Sequence, residues 1–291
     1  MIKCYFKTLK FNFYNSFFGI CAFENILLSL TFDDILGSLN KQKLGLYINE
    51  NQNWEYLFVK SWNKHNHGKL VSVQHSTVRF WDLRYYYREW LNDDLTANFI
   101  SVNGNAAKNR FLESNYPSNK IIKLESLRYN YLLNFKKSIK TISSKNILVL
   151  GDILFSNTFK MIQVVEKISK NDKYNFTFKS HPGGIINSQL LKNFKITSQN
   201  LNELFNYFDT IICPASSGSS VEAIFVGLKV ILYIDNEVNT SPLYGYINSM
   251  SFLTSTELLY CLERPNNVVN SQEFFYLDGD YNKWNQLLKS I

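Results

Sequence analysis

Short apolar runs recur along this chain, each followed by a polar or glycine-bearing cluster and then by a stretch with helical apolar spacing. Residues 43–48, 70–73, 99–102 and 121–124 read as strands in the first half, and residues 147–150, 176–179, 210–213 and 230–233 in the second. Runs this short and this uniformly apolar suit strands buried on both faces, the signature of a parallel sheet covered by helices. Residues 53–65, 106–113, 158–170, 201–207 and 219–226 supply those helices. Parallel pairing through right-handed crossovers follows. The expected fold is α/β, with two Rossmann-like domains facing across a cleft. Residues 126–144, which carry Arg128, Lys136, Lys137 and Lys140 and lack a strand pattern, make the connection. Domains are expected at 1–135 and 136–291, with a last helix over 281–288 crossing back to the first domain.

In an open α/β sheet, ligands bind beyond the carboxyl ends of the strands. Two polar segments fall there in the second half. Lys179-Ser180-His181-Pro182-Gly183-Gly184 follows one apolar run, and Pro214-Ala215-Ser216-Ser217-Gly218-Ser219-Ser220 follows another and leads into a helix closed by Gly227. Small hydroxyl side chains and free N–H groups at a helix start suit an anion such as phosphate. They also suit ordinary capping and a tight turn. With Lys179 and His181 at one strand end and the serines at another, the pair forms a two-sided phosphate clamp. Glu222, too acidic to face a phosphate, is placed to accept hydrogen bonds from ribose hydroxyls.

The chain has 291 residues, 45% of them apolar, and a formal charge of +7, which permits anionic partners without choosing among them. Cys4, Cys21, Cys213 and Cys261 show no metal-binding or disulfide spacing, which fits a reducing, cytoplasmic compartment. Residues 17–32 are apolar but interrupted by Glu24 and Asn25, so they are expected to form an amphipathic or buried helix rather than a span. The aromatic residues around Lys3, Lys7 and Lys10 suit either packing or peripheral contact with the inner face of the cytoplasmic membrane. Between Arg79 and Arg88 aromatics and arginines interleave, a pattern compatible with stacking on bases or sugars and equally with rings packed on the core. No nucleic-acid-binding motif is present.

The segments containing His181-Pro182 and Ser216 to Ser220 resemble the HP and serine motifs of GT-B-type bacterial glycosyltransferases, including polysialyl- and Kdo-transferases. Glu50-Asn51-Gln52, Gln74-His75-Ser76-Thr77 and Leu127-Arg128-Tyr129 further resemble the surface carbohydrate biosynthesis family. The resemblance covers roughly residues 44–284. It implies a GT-B-like fold and sugar transfer from a nucleotide-activated donor, CMP-sugars included, to a glycan or lipid-linked glycan of capsule or lipopolysaccharide. It implies no metal and no separate cofactor. Carried onto this sequence, it puts His181, with Pro182, at the donor phosphate, Ser216, Ser217, Ser219 and Ser220 in the phosphate cradle, and Glu222 near the ribose. Lys179 joins them on electrostatic grounds. Fewer residues precede Glu50 than the family pattern has, so a first domain with fewer strands is expected.

Inverting sugar transfer needs a base on the acceptor hydroxyl. Glu50, His75 and Asp82 are the candidates on the first domain's rim, with Glu50 first because it closely follows a strand. Asp82 is flanked by arginines, and His75 also suits a turn-holding role. Asp152 and Asp235 also follow strands, a common place for acidic loop residues. Other readings of the same architecture are a nucleotide-sugar epimerase, a polyol-phosphate transferase and a non-catalytic carbohydrate-biosynthesis partner.

Overall fold

A computed structural model describes residues 2–88, 93–135, 145–184, 188–234, 241–245, 250–265 and 273–290. Two helices, α1 (Ile2–Phe18) and α2 (Ile20–Ser38), precede a first unit made of β1 (Leu44–Asn49), α3 (Asn53–Lys64), β2 (Lys69–Gln74), β3 (Phe99–Val102), α4 (Asn105–Glu113) and β4 (Ile121–Lys123). Its sheet is wholly parallel in the order β1-β2-β3-β4.

After a 3-10 segment, Leu127–Asn134, come β5 (Asn146–Leu150), α5 (Phe155–Ser169), β6 (Asn175–Lys179), β7 (Lys195–Ile196) and α6 (Leu201–Leu204). They are followed by β8 (Thr210–Pro214), α7 (Ser219–Phe225), β9 (Lys229–Tyr233), β10 (Met250–Phe252), α8 (Ser255–Glu263) and α9 (Asn282–Lys289). The second sheet is also parallel, ordered β10-β9-β8-β5-β6-β7. From β5 the chain moves outward through β6 and β7, then returns to place β8 on the other side of β5. The crevice between β5 and β8 is therefore a topological switch point, where open α/β sheets bind ligands.

The second sheet is buried on both faces, as its apolar runs predict. Leu148, Leu150, Ile211 and Cys213 pack with Val221, Ala223 and Leu132 on one side. Ile147, Val149 and Ile212 pack with Met161, Ile162, Val165 and Leu258 on the other. Gly227, at φ +87°, takes the left-handed conformation that ends α7.

Helix α9 returns to the first sheet. Trp284 is buried with Val71 and Leu124, and its indole N–H donates to the Glu125 carbonyl at 2.8 Å. The Glu125 carboxylate, 2% exposed, accepts the N–H groups of Lys283 at 3.0 Å and Trp284 at 3.1 Å, capping the helix start.

Four stretches carry little sequence signal or a misread one. β7 and β10 are too short for an apolar alternation to register. Helix α8 has a capping box, in which Glu257 N–H donates to Thr254 Oγ1 at 3.2 Å and Thr254 N–H to Glu257 Oε2 at 3.0 Å. Residues 17–32 are helical, as expected, but not buried: Phe17, Phe18, Ile20, Phe23 and Leu30 are each at least 60% exposed.

Candidate functional site

A cavity of about 760 Å³ opens between the two sheets at the carboxyl ends of their strands. The second unit contributes the loop after β5, the start of α5, His181 and the turn from Pro214 to Ser219; the first contributes Ser76, Thr77, Arg79 and Trp81. Both units thus face one space.

Ser216 and Asp152 meet at the switch point. The Ser216 hydroxyl donates to Asp152 Oδ2 at 2.6 Å, and the same carboxylate accepts Asn157 Nδ2 at 3.1 Å and Leu154 N–H at 3.1 Å. Burial raises the Asp152 carboxyl, but the bonds from Ser216, Asn157 and the loop N–H groups outweigh it and hold the group below the ordinary aspartate range. Asp152 therefore stays ionised and its loop is fixed. Gly184 lies against the same loop: a Cβ there would meet the Asp152 carbonyl oxygen at 2.5 Å, so only glycine permits the approach.

Arg79, Arg128 and Lys160 give the lining its positive side, and His181 adds a ring beside them. Arg79 crosses between the units, its Nη2 donating to the Ser216 carbonyl at 2.9 Å, while its Nε is buried without a hydrogen-bond partner. A buried donor of that kind invites an acceptor. His181 Nδ1 accepts the Gly183 N–H at 3.1 Å. The neutral ring then carries its proton on Nε2, where it can donate to an anion. Trp81, 44% exposed, adds a flat apolar face.

Glu222, in the first turn of α7, also lines the cavity. The Tyr131 hydroxyl, from the 3-10 segment after the first unit, donates to its Oε2. Burial pushes the Glu222 carboxyl above the usual glutamate range, against downward pulls from Tyr131 and Arg128.

Of the sequence candidates, His181, Ser216, Ser217, Ser219 and Glu222 line this one cavity. Ser220 does not. It is fully buried, and its hydroxyl donates to the Ser217 carbonyl at 2.7 Å. No serine side chain caps α7, whose N-cap is Gly218. Lys179 and Pro182 lie outside the lining; the Lys179 carbonyl accepts the Gly151 N–H at 2.9 Å and holds the β5 loop.

The three base candidates sit on the first unit's rim rather than in the lining. Glu50 is 41% exposed at its side chain, with Oε1 3.9 Å from His75 Nε2. His75 Nε2 lies 2.9 Å from Arg128 Nη1. A guanidinium only donates, so this nitrogen accepts and its lone pair is occupied. Asp82 is committed elsewhere: its carboxylate accepts Arg84 Nε at 2.9 Å and Nη2 at 2.7 Å and caps the 3-10 turn Leu83–Tyr85 through the Arg84 N–H. Burial raises this carboxyl, yet the Arg84 bonds win and hold it low. Glu55, buried behind Glu50, accepts the N–H groups of Glu50 and Gln52, each at 2.9 Å, and so shapes the rim.

The arginine-aromatic segment divides its tasks. Tyr85 is buried and Phe80 packs on Tyr244 with ring centroids 4.5 Å apart, whereas Arg79 and Trp81 reach the cavity. Sequence reasoning gave Arg79 only a share in a segment compatible with stacking on bases or sugars, and gave no ligand role to Arg128, Lys160 or Tyr131, because their convergence needs the two units in place. Asp235 lies outside the described residues. Among the described residues, no three His, Cys, Asp or Glu side chains converge as metal ligands.

This architecture matches solved structures of nucleotide-sugar enzymes. The UDP-GlcNAc 2-epimerase of Methanocaldococcus jannaschii, in complex with UDP-GlcNAc and UDP, superposes with a TM-score of 0.61 at 14% identity, over 92% of this chain and 81% of that one. The UDP-GlcNAc 2-epimerase of Neisseria meningitidis bound to UDP-GlcNAc gives 0.60 at 15%, with the same coverage. A glycosyltransferase of Rickettsia africae gives 0.53 at 14%, again over 92% and 81%. No protein-family pattern and no curated protein sequence matches. The likeness establishes a GT-B-type fold of two Rossmann-like units, as the sequence motifs imply.

Proposed function

We propose that the chain is a glycosyltransferase that moves a sugar from a nucleotide-activated donor to a glycan or lipid-linked glycan acceptor of a bacterial surface polysaccharide, capsule or lipopolysaccharide. One observation carries the reading. The cavity at the β5/β8 switch point joins a fixed serine turn to Arg79, Arg128, Lys160 and His181, and holds a half-buried carboxylate, Glu222, at its wall. A nucleoside diphosphate sugar needs those groups: cations and N–H donors for the phosphates, an acceptor for ribose hydroxyls, and a flat face such as Trp81 for a ring.

In the transfer, the bond from sugar C1 to the donor phosphate oxygen breaks and a bond from C1 to the acceptor oxygen forms. The leaving phosphate gains charge beside Arg79 and His181, which therefore stabilise the transition state more than the ground state. Glu50 takes the acceptor proton in this reading. Asp82 is held by Arg84, and the His75 Nε2 lone pair is engaged by Arg128, leaving Glu50 as the rim carboxylate without a tight partner. The phosphate charge is met by side chains, so turnover is expected to persist in EDTA.

A second reading is epimerisation of the donor sugar at C2 without an acceptor. It is favoured by the likeness to two UDP-GlcNAc 2-epimerases over 92% of the chain and by the two carboxylates, Asp152 and Glu222, that line the cavity. The test is a thermal-shift screen with CMP, CDP, UDP, GDP and their sugars, then turnover of the donor that binds. A nucleotide at 100 times its Kd stabilises the fold by roughly 2.7 kcal/mol. Nucleotide release that requires an added glycan acceptor supports transfer. Deuterium entering sugar C2 from D2O with no acceptor supports epimerisation. A cooperatively melting chain that no nucleotide stabilises overturns both.

A further inference from the structure

We infer that α1 and α2 insert into a lipid bilayer and fasten the first unit to it. Leu9–Ser38 is long and apolar enough to cross a membrane by length and composition, and none of its most apolar window is buried. Within residues 11–32 the only charged side chain is Glu24; Lys10 precedes the run, and Asp33 and Asp34 close it. At 1.5 Å per residue, residues 20–32 of α2 measure roughly 20 Å and residues 11–18 of α1 roughly 12 Å, on either side of the extended Gly19, against about 30 Å for a hydrocarbon layer.

The distribution of the apolar residues selects lipid over a second copy of the chain. Phe23, Ile26, Leu27, Leu28 and Leu30 are all exposed. At 100° per residue Phe23, Ile26, Leu27 and Leu30 share one face and Leu28 stands apart from them, so exposed apolar side chains cover an arc of roughly 200° of α2. A dimer seam buries a stripe of roughly 100°. The wider apolar arc is what lipid solvates. Three polar side chains within the run bond to neighbouring helical groups, as hydrocarbon surroundings favour. Ser16 Oγ donates to the Asn12 carbonyl at 2.8 Å and Thr31 Oγ1 to the Leu27 carbonyl at 2.8 Å, and Asn15 Nδ2 donates to Cys21 Sγ at 3.1 Å.

The other end of α2 is built into the body. Asp33 accepts Lys64 Nζ at 2.6 Å and His65 Nε2 at 2.7 Å, Phe32 packs on Phe58 with centroids 5.5 Å apart, and buried Leu36 packs with Trp62. His65 and His67 are thus part of the attachment; the Leu36 carbonyl accepts His67 Nε2 at 3.0 Å. Phe32 meets Trp54 at the start of α3, and Leu36 meets residues near its end. Helix α2 therefore runs alongside α3 in the same direction, and the residues before Phe32 project past the rim that carries Glu50. The lipid lies on the cleft's side of the first unit. Lys3, Lys7, Lys10 and the net charge of +7 favour an anionic surface. The inference holds whichever reaction the cleft performs.

The test is flotation of the full chain with vesicles of phosphatidylcholine and phosphatidylglycerol, from detergent solution and in high salt, beside a variant carrying Phe18→Ser, Phe23→Ser, Leu27→Ser and Leu30→Ser. These four side chains are exposed, so the variant keeps the melting midpoint of the body. Expected are salt-resistant flotation of the wild-type chain and its loss in the variant. A wild-type chain that stays at the bottom of the gradient overturns the inference. So does a variant that still floats, or a detergent-free wild-type dimer that the same substitutions convert to monomer.

Discussion

The Ser216 hydroxyl binds the Asp152 carboxylate at 2.6 Å across 64 residues of sequence, tying together the carboxyl ends of β5 and β8, the two strands between which the sheet reverses its order. Hydrogen bonds to a charged group contribute about 1.5–3 kcal/mol each, so Ser216→Ala is expected to lower stability by that order and to loosen the turn. Asp152 is held below its unfolded value near 3.9. Its contribution is therefore complete above that pH and is lost as pH falls through the folded value. Asp152→Asn should unfold earlier than wild type at neutral pH, and the gap should close in acid melts.

Glu222 has the opposite sign. Burial raises its carboxyl, so the folded chain keeps this proton to a higher pH than the unfolded chain. Stability from this group is present below about pH 4.3 and is lost as pH rises through the folded value. Glu222→Gln should be more stable than wild type at neutral pH and level with it in acid. The proposed ribose contact uses the ionised form, so nucleotide affinity should climb with pH over the same window in wild type and stay flat in the Gln variant. Calorimetric titration at several pH values checks both.

Arg79→Ala removes the guanidinium that joins the units and lines the cavity. Charged hydrogen bonds of about 1.5–3 kcal/mol correspond to roughly 10- to 150-fold in Kd. Nucleotide affinity should fall by that order, with the melting midpoint of the ligand-free chain much less affected. Equal Kd values for wild type and variant would remove Arg79 from the donor site.

Glu125→Ala leaves the first N–H groups of α9 without acceptors beneath Trp284. Unsatisfied buried donors cost about 1–3 kcal/mol each. Amide exchange should accelerate across α9 and across the strands around Val71, while β5 and β8 keep their protection. Uniform acceleration over both sheets would show that α9 is not a separable clasp.

The apolar runs were enough to read eight of the ten described strands, β7 and β10 excepted, because a strand buried on two faces leaves no alternation to misjudge. They also placed Ser216 and His181 just beyond strand ends that open on one cavity. What the runs do not encode is the approach of the units. Arg79 looks like one arginine among several until the Ser216 carbonyl is seen beside it, and Tyr131 is one of many tyrosines until it reaches Glu222. Asp82 kept its place among the base candidates because a rim carboxylate and a capping carboxylate have the same sequence surroundings; only Arg84 separates them. Helix α2 misled in another way: Glu24 and Asn25 break a hydropathy average, whereas burial depends on whether any element comes to cover the helix.

The clasp of α9 on the first sheet has a consequence for synthesis. Glu125 leaves the ribosome 158 residues before Lys283, which at about 5–20 residues per second is roughly 8–30 s. During that interval Val71 and Leu124 have no Trp284 above them, and the apolar α2 is already outside the exit tunnel. A growing chain with two uncovered hydrophobic regions is a substrate for chaperones or for cotranslational delivery to a membrane, and the arrival of α9 releases it from the first of those needs.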